Sequence, residues 1–281
     1  MTPVATKIKI GIIGYGFVGK AVSYGFTHRD VEQHIIDPKI GTTIDNLPRD
    51  TDVVFVCVPT PMNDNAAILK SVVSELHNHF VYGRCLIVIK STITPDVIGN
   101  FGYSGVVYNP EFLAEKSAMH DFVNPQFHVF GGDTDDTRYL EKVYNAYSLC
   151  NPCHTFHVSH IDASFIKYGI NTFLATKVTF FNQLFDVVND VERANFASII
   201  AAIGSDERIG SSHTKVPGFD GKQGFGGACF PKDCAALFNY DNRLTLIGES
   251  IRINNDYRSR YELDEREKEQ NVNYGQTKEE L

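Results

Sequence analysis

The chain has 281 residues, 43% of them hydrophobic, and a formal net charge of −8. That length exceeds one average domain and falls short of three, so a large nucleotide-binding domain with a smaller companion is expected, around an ample apolar core. The acidic balance, with no run of Lys and Arg, argues against nucleic acid or an anionic membrane as the main partner.

Met1 to Lys9 leads directly into a strand-like run, and the longest apolar stretch is only Val53 to Val58. Neither a secretion signal nor a membrane span is read, which predicts a cytoplasmic protein. Short β-branched runs then recur at Lys7–Ile13, Gln33–Ile36, Val53–Val58, Leu86–Ile89, Val106–Tyr108 and His128–Phe130. Helical patterns such as Val18–Thr27 and Ala66–His79 separate them. This alternation predicts an α/β fold: a Rossmann-type, doubly wound parallel sheet covered on both faces. Six scattered cysteines read as reduced thiols, and Cys150-x-x-Cys153 has no second Cys or His pair at zinc spacing, so no metal site is expected.

From about Ser159 the pattern is helical only. Ile161 to Val191 is apolar on nearly every face and predicts a long central helix of about 45 Å, buried on several sides, that links two domains and supports a homodimer. After Asn255 come the charged run Arg258–Glu269 and a polar end, read as a solvated or frayed helix. The expected organisation is therefore a nucleotide-binding domain over 1–158, the central helix with a helical substrate and dimerisation domain over 159–257, and a charged tail over 258–281.

Two segments carry chemistry. Gly14-Tyr-Gly16-Phe-Val-Gly19 follows the first strand and opens a helix. Gly14 suits a tight turn, Gly16 lets the backbone approach a pyrophosphate, and Gly19 permits close helix packing. Asp37 ends the second strand, where a carboxylate accepts bonds from a ribose 2′-hydroxyl and repels a 2′-phosphate. NAD is the cofactor expected. The second segment is Gly224-Phe-Gly226-Gly227-Ala-Cys229-Phe-Pro231-Lys232-Asp233. Pro231 suits the first turn of a helix, so Cys229 falls at a helix N-terminus with Lys232 nearby, both of which favour a nucleophilic thiolate.

With Val58-Pro59-Thr60-Pro61, Lys90-Ser-Thr92, Asn109-Pro-Glu111-Phe112-Leu113-Ala-Glu115, Lys167-Tyr-Gly-Ile-Asn171 and Arg208-Ile-Gly210 in the same order, the chain resembles the UDP-glucose and GDP-mannose dehydrogenases from about Lys7 to Asn255. Phe112 and Phe173–Asn182 are closer to the UDP-glucose branch. The resemblance implies NAD-dependent oxidation of UDP-glucose to UDP-glucuronate through a thiohemiacetal and a thioester on Cys229.

It further implies Glu115 as the group that activates water, Lys167 and Asn171 as partners of an oxyanion, and Thr92 and Asp233 as orienting groups. Phe17, Val18, Pro59, Thr60 and Thr92 join the glycines and Asp37 at the cofactor. Glu111, Phe112, Leu113, Lys167, Asn171, Phe225, Gly226 and Gly227 line the substrate, and Arg208 reaches its diphosphate across a dimer interface. Asn109-Pro110-Glu111 reads as N-cap, N1 and N2, which would set Glu111 and Glu115 on one helical face. Relatives continue into a further α/β domain that binds the UDP moiety, which this chain is expected to lack. The alternatives are a dehydrogenase for GDP-mannose or a UDP-N-acetyl hexosamine, or a non-catalytic nucleotide-sugar-binding relative.

Overall fold

The computed structural model describes residues 7–61, 66–81, 84–101 and 104–275, with the side chain of Glu115 excepted. Two compact units divide at Lys167 and Tyr168.

In the first unit the elements run β1 (Ile8–Ile13), α1 (Phe17–Gly25), β2 (Val31–Ile36), β3 (Val53–Val56), α2 (Ala67–His79), β4 (Leu86–Ile89), α3 (Pro95–Gly99), β5 (Val106–Tyr108), α4 (Ala118–Val123), β6 (Phe127–Gly131), α5 (Thr134–Tyr147) and β7 (His154–Val158), and α6 (His160–Asn189) then begins. The sheet order is β2-β1-β3-β4-β5-β6-β7. Strands β3 and β4 are buried at every residue, which is why their sequences are unbroken apolar runs. Leu69, Val73 and Leu76 of α2 recur at helical spacing and pack on one face of the sheet. Ala21, Val22 and Phe26 serve the other face. Burying each larger side chain contributes about 1.5–3 kcal/mol.

Two features depart from the sequence reading. The sheet is not wholly parallel, since β5 and β6 pair antiparallel through Tyr108 and Gly131. Strand β7 adds an edge that the pattern did not signal, because its residues are mostly exposed or half-buried and lack an apolar run.

The second unit comprises the rest of α6, then α7 (Phe196–Gly204), α8 (Phe230–Tyr240), α9 (Thr245–Arg258) and α10 (Glu265–Glu269). One cluster joins Tyr168, Ala175, Phe225, Leu237, Ile247 and Ile251, and another joins Phe181, Val188, Phe196 and Val216. Within this unit α6 buries Asn171, Thr172, Thr179 and Asn182 and exposes Phe173, Phe180 and Val187. The buried hydroxyls of Thr172 and Thr179 donate to the carbonyls of Tyr168 and Ala175, one turn back, so burying them leaves no donor unmet. The stripe expected to be buried on several sides thus keeps a wet aromatic face. No helix among the described residues is long and apolar enough to cross a membrane.

Candidate active site

In the first unit the chain reverses its direction of travel across the sheet at β1, because β2 lies on one side of it and β3 on the other. A crevice outside the carboxyl ends of such strands is where this architecture takes nucleotides. Gly14 leaves β1 with φ +86°, and a Cβ there would lie 2.7 Å from the Cys57 carbonyl oxygen at the end of β3. A Cβ on Gly19 would lie 2.0 Å from the Gly14 carbonyl oxygen, so the first turn of α1 packs directly on the loop. Gly16 caps α1, and among the described residues nothing beyond its chain neighbours lies within 4 Å of where its Cβ would be, which leaves the helix N-terminus approachable. Phe17 and Val18, the first two residues of that helix, are half-buried.

Asp37 follows β2 and accepts from the backbone N–H groups of Tyr15 at 2.7 Å and Lys39 at 2.8 Å. These two donors, Tyr15 foremost, hold its carboxyl below the usual carboxylate range, so it is ionised at neutral pH. The loops after β3 and β4 are tied together: the Thr60 hydroxyl donates to the Thr92 carbonyl at 2.8 Å, and Ser91 Oγ donates to the Val58 carbonyl at 2.7 Å. Pro59 is exposed beside them, and Thr92 is half-buried. A glycine cradle at an open helix N-terminus with a fixed anion one strand away fits a dinucleotide.

The Asn109–Glu115 segment is not the start of a helix. Residues 109–114 are irregular, and a short 3-10 turn over Glu115–Ser117 precedes α4. Asn109 is buried, with its side chain engaged elsewhere: Oδ1 accepts from Lys90 Nζ at 2.9 Å and Tyr144 Oη at 2.8 Å, and Nδ2 donates to the Val129 carbonyl at 3.1 Å. An Asn so committed cannot cap, and the shared helical face expected for Glu111 and Glu115 does not form. Glu111 is buried and accepts from the Leu113 N–H at 2.7 Å and from Lys167 Nζ at 3.1 Å. Lys167 also donates to the Glu111 carbonyl and stands over the Phe112 ring at 5.4 Å. Glu115, expected to activate water, lies outside the described side chains.

In the second unit Cys229 is the N-cap of α8, half-buried, with Pro231 in the first turn. Burial pushes the Cys57 and Cys85 thiols up to about 12 and raises those of Cys150, Cys153 and Cys234, so these five are poor thiolates. Lys232, expected near Cys229, donates through Nζ to Asp233 Oδ1 at 2.5 Å. Asp233 is fully buried, and its other oxygen accepts from Asn171 Nδ2 at 2.6 Å. Asn171, Asp233 and Lys232 therefore form one network at the first turn behind Cys229.

Arg208 is exposed and forked onto Asp206, with Nε at 2.9 Å and Nη2 at 2.6 Å. Phe225 is buried, and Gly226 and Gly227 are half-buried in the loop before Cys229.

Four residues that hold this loop escaped the sequence reading. Asn182 Oδ1 accepts from the Gly224 N–H at 3.0 Å, and Asn254 brackets Phe225 by accepting from its N–H at 2.6 Å and donating to its carbonyl at 3.0 Å. Arg258 donates through Nε to the Phe225 carbonyl at 3.2 Å, and Glu267 Oε1 accepts from the Gly227 N–H at 3.2 Å. The charged run 258–269 is accordingly no solvated tail: Arg258 and Glu267 are each 1% exposed, and Val272 and Tyr274 are buried. The only signal in the sequence was an amide, Asn254, and a guanidinium, Arg258, four residues apart on α9, and it does not say what they face.

Residues 38–148 match the NAD binding domain of the UDP-glucose/GDP-mannose dehydrogenase family, and residues 162–256 match its central domain. The chain is 36% identical over 203 residues to a UDP-glucose 6-dehydrogenase of Rickettsia typhi, covering 68% of this chain and 45% of that one. It is 33% identical over 233 residues to one of Bacillus subtilis, with 74% and 46% covered. The chain thus spans about half the length of these curated relatives. A UDP-glucose dehydrogenase from the archaeon Pyrobaculum islandicum superposes with a TM-score of 0.71 at 25% identity, over 90% of this chain and 69% of that one. A UDP-D-ManNAc dehydrogenase from Pyrococcus horikoshii shares the fold, with a TM-score of 0.71 at 19% identity, over 88% and 68% of the two chains.

Proposed function

Since the chain belongs to the UDP-glucose/GDP-mannose dehydrogenase family, we propose that it oxidises the C6 alcohol of UDP-glucose to a carboxylate, giving UDP-glucuronate. The observation that carries the reading is Cys229 at the head of α8, with the fully buried Asp233 one turn on and bonded to Asn171. NAD, when bound, accepts a hydride in each of two oxidations.

The chain's own residues do the rest. Gly14, Gly16, Phe17, Val18 and Gly19 receive the pyrophosphate, Asp37 the ribose hydroxyls, and Pro59, Thr60 and Thr92 border the far side of the crevice. Asp233 orients the reacting hydroxyl. The Cys229 thiolate adds to the carbonyl carbon of the aldehyde formed first, making a C–S bond and an oxyanion. Lys167 stabilises that oxyanion by its charge and Asn171 by a hydrogen bond. Loss of the second hydride leaves a thioester, which water cleaves, with Glu115 taking its proton, Thr92 orienting it, and the thiol leaving. Glu111, Phe112, Leu113, Phe225, Gly226 and Gly227 hold the sugar nucleotide, and Arg208 turns from Asp206 to its diphosphate.

The partner proposed is a second copy of the chain. Phe173, Phe180 and Val187 are 68%, 58% and 64% exposed and fall seven residues apart, so they line one face of α6 suited to pairing with another helix. NADH formation with UDP-glucose, followed by the mass of the product, tests the reading. NADH formed with GDP-mannose or a UDP-N-acetyl hexosamine instead would move the assignment to that sugar. NAD binding with no NADH from any sugar nucleotide would mean a non-catalytic relative.

A further inference from the structure

Backbone groups from Gly224 to Gly227 are met by side chains from three places: Asn182 on α6, Asn254 and Arg258 on α9, and Glu267 on α10. Arg258 is the centre of this arrangement. Its Nε donates to the Phe225 carbonyl, Nη1 donates to Asp220 Oδ2 at 2.7 Å, and Nη2 donates to Glu267 Oε1 at 3.3 Å. Glu267 Oε1 also accepts from Tyr274 Oη at 2.7 Å, while Oε2 accepts from the Asp264 N–H at 2.9 Å. A Cβ on Gly226 would lie 1.3 Å from Arg258 Nη2, so the loop backbone rests directly against the guanidinium plane. The Arg258–Glu267 pair is 1% exposed on each side while Asp220 reaches the guanidinium from the surface, and a buried charge pair so costly to desolvate is strongly destabilising to break. The segment it holds is the last residues before Cys229, and Glu267 and Tyr274 lie beyond residue 256, where the family match ends.

We propose that Arg258, locked by Glu267 and Asp220, is a positioning residue that holds Cys229 at the N-terminus of α8. The clamp works through the loop: the guanidinium fixes Phe225 and Gly226, and Glu267 fixes Gly227, two residues ahead of the thiol. With the loop so held, the sulfur stays within the positive end of the α8 dipole, which favours its thiolate. Release of the clamp lets the sulfur drift from that end. The inference rests on Cys229 as the proposed nucleophile, but its test reads the thiol and not turnover.

The experiment is alkylation of the full chain with iodoacetamide as a function of pH, followed at Cys229 by peptide mass, with circular dichroism and thermal melting as controls. The other five thiols, all raised by burial, supply an internal reference. In Arg258→Lys, which keeps the charge and loses the fork, the Cys229 rate at neutral pH is expected to fall about two- to fivefold, the size of a helix-terminus effect, with the midpoint moving to higher pH. Glu267→Gln, which keeps an acceptor for Gly227, Arg258 and Tyr274, should retain most of the wild-type profile. Tyr274→Phe removes a single hydroxyl and serves if Arg258→Lys does not fold; it should shift the profile in the same direction by less. A lowered melting temperature with an unchanged Cys229 profile in the folded variants would overturn the proposal. A shifted profile would sustain it even if Cys229→Ala still made acid, an outcome that would instead remove Cys229 from the chemistry.

Discussion

Asn171 Nδ2 donates to Asp233 Oδ2 at 2.6 Å, while the other oxygen of the same fully buried carboxylate takes Lys232 Nζ. One carboxylate thus joins α6 to the first turn of α8 within the second unit. Asp233→Asn leaves a mostly buried ammonium without its counter-ion, and removal of one partner from such a pair typically costs about 3 kcal/mol or more. Urea unfolding should show that loss, and Lys232→Met in the same chain should recover most of it. A single Asp233→Asn variant as stable as wild type would mean that the pair is solvated.

Cys229→Ala should abolish formation of the uronic acid, because the aldehyde is no longer captured for the second oxidation. Product mass after incubation with UDP-glucose and NAD decides the matter. A normal acid yield would make the thiol structural.

Asp37, held ionised by the N–H groups of Tyr15 and Lys39, should discriminate against a 2′-phosphate. The expected preference in kcat/KM for NAD over NADP is on the order of 10- to 100-fold. Asp37→Asn retains an acceptor for Tyr15 and should lose most of the preference. Equal use of both cofactors by the wild type would count against this role.

Burial brings the Lys90 ammonium down to about 8, where it shares the Asn109 side-chain oxygen with Tyr144. Below about pH 8 folded and unfolded chains both hold the proton, and the folded state carries the full cost of the buried charge. Between about 8 and the ordinary 10.5 the unfolded chain binds the proton and the folded chain does not, so this residue's contribution to stability rises with pH. The span corresponds to about 3 kcal/mol. Lys90→Met removes the titration and leaves Tyr144 on Asn109. The stability of wild type relative to Lys90→Met, from urea titrations, should therefore increase across that range, and a flat difference would show an ammonium that is not desolvated.

Phe173→Glu with Phe180→Glu should convert a dimer to a monomer in light scattering, since two charges would face each partner helix. An unchanged dimer would place the interface elsewhere.

Much of the first unit was legible residue by residue. The glycine loop, β1, α1 and Asp37 could be read because each requirement there is local: a positive φ at Gly14, an absent side chain at Gly19, a carboxylate at the end of a strand. The fully buried strands announced themselves through unbroken apolar runs, and Cys229 at the head of α8 through the proline two residues on. Tertiary structure decided the remainder wherever one side chain had competing uses. Asn109-Pro110-Glu111 satisfies every local rule for a helix start, yet Lys90, Tyr144 and Lys167 engage its side chains and the segment stays irregular. Arg258 to Glu269 reads as solvated charge because nothing in the sequence reports that Asp220, Glu267 and a loop carbonyl will surround one guanidinium. Such partners lie 9 to 38 residues apart, and only packing brings them within hydrogen-bond distance, where desolvation makes leaving any of them unpaired more costly than pairing all of them.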